Sequence, residues 1–153
     1  MTDQLDIIVA EVKRKVNELL SSPKMEITRL PADMPMAGIY LFSEGGLPLY
    51  VGRTNNLKKR LQYHVRSNHN QATFAFLLAR HETGRLKATY RRQGSRPDLL
   101  NERRFRVAFD AARKRVRMME VRFIGETDPI KQALLEIFTA LQTRARYNDF
   151  DNH

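Results

Sequence analysis

The chain has 153 residues, no cysteine and a formal net charge of +10 at pH 7. This length favours one domain with an added segment. The lack of thiols excludes disulfides, cysteine zinc sites and thiolate nucleophiles. No apolar run approaches the roughly 20 residues that span a bilayer, and no signal-peptide pattern opens the chain. We therefore expect a soluble cytoplasmic protein without a membrane role, in which any metal is a hard cation such as Mg²⁺.

The positive charge is concentrated in one stretch of the sequence. Between Arg80 and Arg117, thirteen Lys or Arg residues stand against four Asp or Glu residues, which leaves +9 in that segment alone. A field of one sign on one region attracts a polyanion, and nucleic acid is the partner that charge favours. An acidic membrane surface or an acidic protein partner would also suit such a cluster.

An amphipathic helix is predicted over residues 3–20, where apolar residues recur at helical spacing between a cap at Asp3 and a stop at Pro23. Its apolar stripe is expected to pack on the domain or on a second subunit. Residues 25–30 lie among prolines and are predicted to form an approach strand or an extended linker. We therefore divide the chain into an N-terminal helix and linker, 1–30, and a main domain, 31–153.

A β-hairpin is predicted from residues 37–42 and 47–51, which are rich in β-branched and aromatic residues and flank Gly45-Gly46. Helices are predicted from Leu57 to about Arg66, with Thr54 or Asn55 as the cap, and over 71–80. In the first of these helices Leu57 and Leu61 form the buried stripe. Arg60 and His64, four residues apart on one flank, offer two adjacent donors that could cradle one phosphate.

The second half of the chain continues with a weak strand candidate at 86–90, one long basic helix at 97–116 and an alternating strand at 118–124. Asp128-Pro129 is a strong helix start, with the cap followed by proline at the first helical position. This last helix is expected to end near Arg146. Glu136 lies beside Ala133 and Ala140, at the margin of an apolar stripe of Ile130, Leu134, Ile137 and Leu141.

Two short motifs frame the hairpin: Gly38-Ile39-Tyr40 and, after nine residues, Tyr50-Val51-Gly52. Five charged or polar residues that could form a catalytic site follow in order, namely Arg53, Arg60, His64, Glu136 and Asn148. Together they resemble the GIY-YIG nucleases, with Val51 in place of the second isoleucine. The resemblance covers most of the chain. It implies a small α+β domain with a central three-stranded, mainly antiparallel sheet flanked by helices, to which this chain adds an N-terminal helix and a basic helical insertion at about 80–117.

The resemblance implies a metal-dependent endonuclease that hydrolyses phosphodiester bonds in DNA. Tyr50 is then the general base, with Tyr40 hydrogen-bonded nearby to orient it. Arg53 holds the scissile phosphate and Arg60 stabilises the charge of the transition state. His64 hydrogen-bonds the phosphate or assists proton transfer.

The resemblance also implies that Glu136 anchors a single Mg²⁺, for which Mn²⁺ can substitute, because the pattern holds one carboxylate. Asn148 is expected to position Glu136 or the adjacent backbone, and Gly38 and Gly52 are the motif glycines. Backbone contacts to nucleic acid are predicted for the basic insertion, at Arg91, Arg92, Arg96, Arg103, Arg104 and Arg106. Tyr90 is a candidate for stacking on a base.

Each of these residues also has a structural interpretation. Tyr40 and Tyr50 suit strand aromatics that pack on helices, and Glu136 suits a surface carboxylate. The alternative function is a non-catalytic nucleic-acid-binding module on a nuclease scaffold, and a basic adaptor of protein complexes is a third. RNA as substrate, the form of the DNA, a protein partner and a homodimer all remain open at this point.

Overall fold

The computed structural model describes residues 3–66, 68, 70–85 and 96–150, with the backbone alone at 96–98. Its helices are α1 Gln4–Ser21, α2 Leu57–Tyr63, α3 Thr73–Thr83, α4 Arg96–Asn101, α5 Arg103–Arg117 and α6 Pro129–Thr143. Its strands are β1 Gly38–Glu44, β2 Leu47–Thr54 and β3 Glu120–Gly125. No helix within these ranges is both long and apolar enough to cross a membrane.

The chain divides into two compact units. The first, which we call the sheet unit, comprises Met1–Lys59 and Met119–His153, and the second, the inserted unit, comprises Arg60–Met118. The sheet unit contains all three strands, in the order β2-β1-β3, and both neighbouring pairs are antiparallel. The predicted α+β class with a three-stranded sheet is therefore confirmed.

The β1–β2 hairpin turns at Gly45-Gly46, as its sequence predicts. Both glycines have positive φ, +58° and +79°, which is the backbone geometry of the two-residue turns that match the twist of paired strands. A residue with a side chain is strained at such angles. The second strand runs three residues further than expected, to Thr54, and so carries all of Tyr50-Val51-Gly52 and Arg53 within one paired strand.

The core of the sheet unit lies between one face of the sheet and helices α1 and α6. Helix α1 presents Val12, Val16 and Leu19 at spacings of four and three residues, which places them on one side of the helix. The cluster is completed by the buried residues Ile39, Leu41, Val51, Ile124, Leu135, Ala140 and Ala145. Each large apolar side chain buried in this way contributes about 1.5–3 kcal/mol to folding. The predicted N-terminal helix thus packs on its own domain.

Three local predictions are wrong. Residues 25–30 form no continuous strand or extended linker, because Met25 makes a single bridge to Val121 and Ile27–Arg29 is a 3-10 helix that buries Ile27. The cap of α2 is Asn56, whose Oδ1 accepts from the N–H of Lys59 at 3.2 Å. The long basic helix is broken at Glu102, where the backbone is extended and the carboxylate pairs with Arg85. The weak strand candidate at 86–90 lies outside the described residues.

Of the apolar stripe expected on α6, only Leu134 packs against the core. Ile130, Ile137 and Leu141 are exposed, whereas Gln132, Leu135, Thr139 and Ala140 are buried. Gln132 can be buried because its side-chain N–H donates to the carbonyl of Glu126 at 2.7 Å, so its amide keeps a hydrogen bond away from water. The small residues Thr139 and Ala140 then allow the helix to approach the sheet closely. The start of the helix is as predicted, with Asp128 accepting from Ile130 and Lys131.

An ion pair that the sequence did not indicate ties α1 to the loop after β3. Lys15 Nζ lies 2.6 Å from Glu126 Oε1 and also donates to the carbonyl of Gly125 at 3.1 Å. Burial alone would raise the pKa of Glu126, but the hydrogen bonds from Lys15 and from the N–H of Asp128, with the nearby positive charges, lower it. The ionised carboxylate is therefore the form that stabilises this junction.

Replacing Lys15 with methionine is expected to lower the free energy of unfolding by about 1–3 kcal/mol at neutral pH, because a mostly buried carboxylate loses its partner. Folding lowers the pKa of Glu126. The difference in the free energy of unfolding between variant and wild type should therefore be full above the ordinary glutamate pKa of 4.5, and it should shrink as the pH falls below that pKa. Urea unfolding at several pH values measures this. Lys13→Met, at an exposed position of the same helix, is the control, and an equal loss in both variants would contradict the assignment.

Candidate active site

The two motif tyrosines lie on the same face of the sheet. In the register of β1 and β2, Tyr40 pairs with Gly52 and Phe42 pairs with Tyr50, and residues directly opposite each other in a sheet share a face. Tyr40 is 1% exposed and packs edge-on against Phe42, whereas Tyr50 is only half-buried. Of the two phenols, Tyr50 is the one whose side chain reaches solvent to an appreciable extent.

The motif glycines are required by close approach, not by unusual backbone angles. A Cβ placed on Gly52 would overlap the ring and hydroxyl oxygen of Tyr40, which lies across that glycine. A Cβ placed on Gly38 would overlap the carbonyl oxygen of Ile124 in β3. Gly52 therefore leaves the space that Tyr40 occupies, and Gly38 allows β1 and β3 to pair closely.

Arg53 and Glu136 meet beside β2. Arg53 pairs with Ile39, a residue of the core face, so strand alternation directs it toward the side of the sheet on which α6 packs. Its Nε lies 4.0 Å from Glu136 Oε1, and the two side chains are 46% and 25% exposed. Burial raises the pKa of the Glu136 carboxyl, and the charge of Arg53 opposes this only in part. Glu136 is thus a desolvated carboxylate with a loosely held cationic neighbour.

Asn148 holds the outer edge of β2. Its Oδ1 accepts from the N–H of Val51 at 2.8 Å, and its Nδ2 donates to the carbonyl of Val51 at 2.9 Å. The chain reaches this edge because α6 ends at Arg144 in a left-handed conformation, φ +53°. The contact is to the backbone of Val51, between Tyr50 and Gly52, and the role expected for Asn148 in positioning Glu136 or the adjacent backbone stays a prediction.

Arg60 and His64 belong to the inserted unit, where they have packing roles. The Arg60 guanidinium donates to the carbonyl of Gln71 at 3.2 Å and to Thr73 Oγ1 at 2.7 Å, at the start of α3. His64 is fully buried. Burial, with a smaller contribution from the charge of Arg60, lowers the pKa of His64 to about 3, so the imidazole is neutral at pH 7. A contact of His64 with a phosphate would require the ring to be exposed, and this role stays a prediction.

The predicted basic contacts fall partly within the described structure. Arg103, Arg104 and Arg106 are exposed on α5. Arg96 begins α4, and Arg91, Arg92 and Tyr90 lie outside the described residues. The structure adds three exposed cations on the same helix that our sequence analysis did not single out, namely Lys114, Arg115 and Arg117. Helical spacing from Arg103 and Arg106 was the signal that could have identified them.

The described residues contain no group of three or more His, Asp or Glu side chains able to hold a metal ion. The candidate metal ligand is Glu136 alone. Mg²⁺ commonly keeps several waters and binds one or two carboxylates together with substrate phosphate oxygens. A half-buried carboxylate with a raised pKa fits this use as a single anchor, because a cation would favour its ionised form.

Comparisons with known proteins agree with this layout. A family model described as the GIY-YIG catalytic domain matches residues 36–148. The chain is 34% identical over 53 residues to UvrABC system protein C of Deinococcus radiodurans, and 48% identical over 31 residues to the protein of that name from Aquifex aeolicus. These matches cover 35% and 20% of this chain but only 9% and 6% of the two relatives. No solved structure matches the chain. The family match begins just before Gly38 and ends at Asn148, and so encloses the candidate site.

Proposed function

This chain belongs to the GIY-YIG nuclease family, and we propose that it is an endonuclease that hydrolyses phosphodiester bonds in DNA with one divalent cation, Mg²⁺ or Mn²⁺. The observation that carries the proposal is the half-buried Glu136 beside Arg53, next to the strand that presents Tyr50. A desolvated carboxylate with a perturbed pKa and a cationic neighbour is typical of a functional site. Tyr50 and Arg53 lie on opposite faces of β2 by strand alternation, so the scissile phosphate would lie at the edge of this strand, between the phenol on one face and Arg53 with Glu136 on the other.

Tyr50 would accept the proton of the attacking water. A phenol ordinarily titrates near 10, so it can act as a base near neutral pH only where positive charge favours the phenolate. Tyr40, fixed across Gly52, would orient Tyr50 from the same face of the sheet. Asn148 supports this arrangement by holding the backbone of Val51 in place beside the general base.

The arginines and Glu136 would handle the charge of the phosphate. Arg53, almost half exposed, would bind the non-bridging oxygens, and Arg60 would add positive charge as the transition state forms. Glu136 would hold the cation. Bound there, Mg²⁺ would neutralise charge on the phosphoryl and leaving oxygens.

One observation favours the alternative of a nucleic-acid-binding module without cleavage. Arg60 already donates to Gln71 and Thr73, and His64 is fully buried, so packing alone accounts for both residues. Tyr50 and Glu136, in the sheet unit, are both partly exposed, so their side chains can reach a substrate. Cleavage by these two residues is therefore the property to test.

Tyr50→Phe is expected to lower the rate of plasmid cleavage by about 10²–10⁴-fold, because the phenol oxygen that accepts the proton is lost while the ring is kept. Supercoiled plasmid is incubated with wild type or variant in Mg²⁺, in Mn²⁺ and in chelator, and nicked and linear products are measured. Tyr63→Phe, on α2, makes the same chemical change outside the proposed site.

Four results would count against the proposal. Cleavage in chelator, or equal cleavage by wild type and Tyr50→Phe, would point to a contaminant or to another site. If wild type binds plasmid, branched DNA and RNA but cuts none of them, the non-catalytic module takes its place. Cleavage of RNA alone would retain the nuclease and reject DNA as its substrate.

A further inference from the structure

The entire positive excess of the protein resides in the inserted unit. Arg60–Met118 contains fifteen Lys or Arg and four Asp or Glu residues, a net charge of +11. The sheet unit, with twelve basic and thirteen acidic residues, carries −1. The unit that holds Tyr50 and Glu136 therefore has almost no net attraction for a polyanion, and affinity for nucleic acid must come mainly from the other unit.

Helix α5 presents much of this charge on one side. Its apolar residues Phe105, Phe109, Ala112 and Val116 are buried. The exposed side carries Arg103, Arg104, Arg106, Lys114, Arg115 and Arg117. At 1.5 Å per residue the helix is about 22 Å long. It is thus a basic rod long enough to lie along several phosphates of one nucleic-acid strand.

The rod is held firmly by its neighbours in the inserted unit. Phe76 of α3 packs against Phe105 and Phe109, with ring centroids 5.0 and 5.9 Å away. Arg113 donates to the carbonyl of Val65 at 3.2 Å and to Asp110 at 2.8 Å. Arg113 therefore serves packing, while the exposed cations are presented from a helix whose other side is fixed.

The charge at the start of α5 is not explained by helix stability. The first turn has no acidic residue, and the side chain of the capping residue Glu102 pairs with Arg85 instead of with the helix N–H groups. Positive charge at this end opposes the helix dipole. Arg103, Arg104 and Arg106 thus weaken the helix on which they lie, a cost that a bound polyanion would offset.

We propose that α5 is the element that binds duplex DNA, through phosphate contacts along its basic face and without reading the base sequence. This rests on the proposed function for the identity of the substrate. Five of the six exposed cations are arginine, whose guanidinium suits phosphate oxygens. Both aromatic side chains of the helix, Phe105 and Phe109, are buried, so α5 offers no ring on which an unpaired base can stack. A helix that offers positive charge but no aromatic ring for base stacking is expected to bind a duplex in preference to a single strand.

The test is binding of the full chain to a DNA duplex of about 20 base pairs in chelator, measured by fluorescence anisotropy over a range of salt concentrations. The variant Arg106→Gln/Lys114→Gln/Arg117→Gln removes three charges from one edge of α5. Each lost phosphate contact should reduce the slope of log K against log salt by about 0.9. We expect a slope smaller by about 2–3 and a Kd at least about 10-fold higher near 100 mM salt.

Two further variants separate charge from fold. Arg14→Gln/Lys24→Gln/Arg29→Gln removes the same residue types and the same charge from exposed positions of the sheet unit, and should leave Kd within about twofold of wild type. Arg106→Lys/Arg117→Lys keeps the charge of α5 and should keep the salt slope. A melting temperature at or near that of wild type excludes unfolding as the cause of lost binding.

The inference is overturned if both neutralised variants lose affinity equally, or if the α5 variant loses affinity for a single strand of the same length but not for the duplex. Its failure is distinct from that of the proposed function. If the protein cleaves DNA with metal but the α5 variant binds DNA like wild type, the proposed nuclease function stands and the α5 binding site is rejected. If binding depends on α5 but no substrate is cleaved, the α5 binding site stands and the nuclease function is rejected.

Discussion

Glu136→Gln is expected to lower metal-dependent cleavage by at least about 100-fold, because the amide cannot supply the negative charge that anchors the cation. Binding to DNA should be nearly unchanged, since the binding surface that we propose is on α5 and not on α6. Product formation on supercoiled plasmid, with Mg²⁺ and with Mn²⁺, measures the first effect, and anisotropy in chelator measures the second.

The same substitution has a predictable effect on stability in the absence of metal. Burial raises the pKa of Glu136 in the folded protein, so folding favours the protonated carboxyl. The stability gained from this protonation is full below the ordinary glutamate pKa of 4.5 and is lost as the pH rises through the raised pKa of the folded state. At pH 7 the variant should therefore melt at or above the temperature of wild type, and the difference should vanish in acid. Added Mg²⁺ should raise the melting temperature of wild type only.

Glu18→Gln is the matched control, because Glu18 is an exposed glutamate whose partner Arg14 lies on the same helix. It should leave cleavage and the response to Mg²⁺ unchanged. If Glu136→Gln cleaves like wild type, or if both proteins are stabilised equally by Mg²⁺, Glu136 does not hold the cation.

Gly52→Ala is expected to reduce both stability and activity. The new methyl group would occupy space that the buried ring of Tyr40 fills, and overpacking of this kind costs about 1–3 kcal/mol. The ring cannot swing into solvent, because Tyr40 is 1% exposed. Chemical unfolding gives the loss of stability. The rate of plasmid cleavage at a temperature where the variant is folded tests whether displacement of Tyr40 disturbs Tyr50.

A double-mutant cycle identifies the cause of the Gly52→Ala effect. In a Tyr40→Leu background the ring is absent, so the same substitution should cost clearly less than in wild type. Equal costs in both backgrounds would mean that Gly52 is required for a reason other than contact with Tyr40.

Much of the fold could be predicted because local signals agree with the final packing. Gly45-Gly46 between two apolar runs predicts the hairpin, and Asp128-Pro129 predicts the start of α6. The pairing of Tyr40 with Gly52 could not be predicted from the two-residue turn, because the register shifts by one residue between Phe42 and Ser43, and such a shift reverses the face on which each later residue lies.

The remaining features depend on contacts between segments distant in the sequence. The sequence predicts Glu136 at the margin of an apolar stripe. In the structure α6 is instead rotated so that Gln132 is buried, and a hydrogen bond from Gln132 to the carbonyl of Glu126 stabilises this arrangement. Periodicity cannot indicate that a polar residue is buried with a partner. The burial of His64 and the pair between Lys15 and Glu126 have the same origin, because tertiary packing overrides the local preference for exposure.

The contact of Asn148 with Val51 also has a consequence for association between molecules. Strand β2 is an outer strand of the sheet. The carbonyl of Leu49 accepts from the N–H of Tyr147, and both backbone groups of Val51 bond to the side chain of Asn148. An outer strand with unpaired groups is a template on which another chain can add a strand. The residue that fixes the backbone beside the candidate base thus also protects this part of the protein from edge-to-edge aggregation.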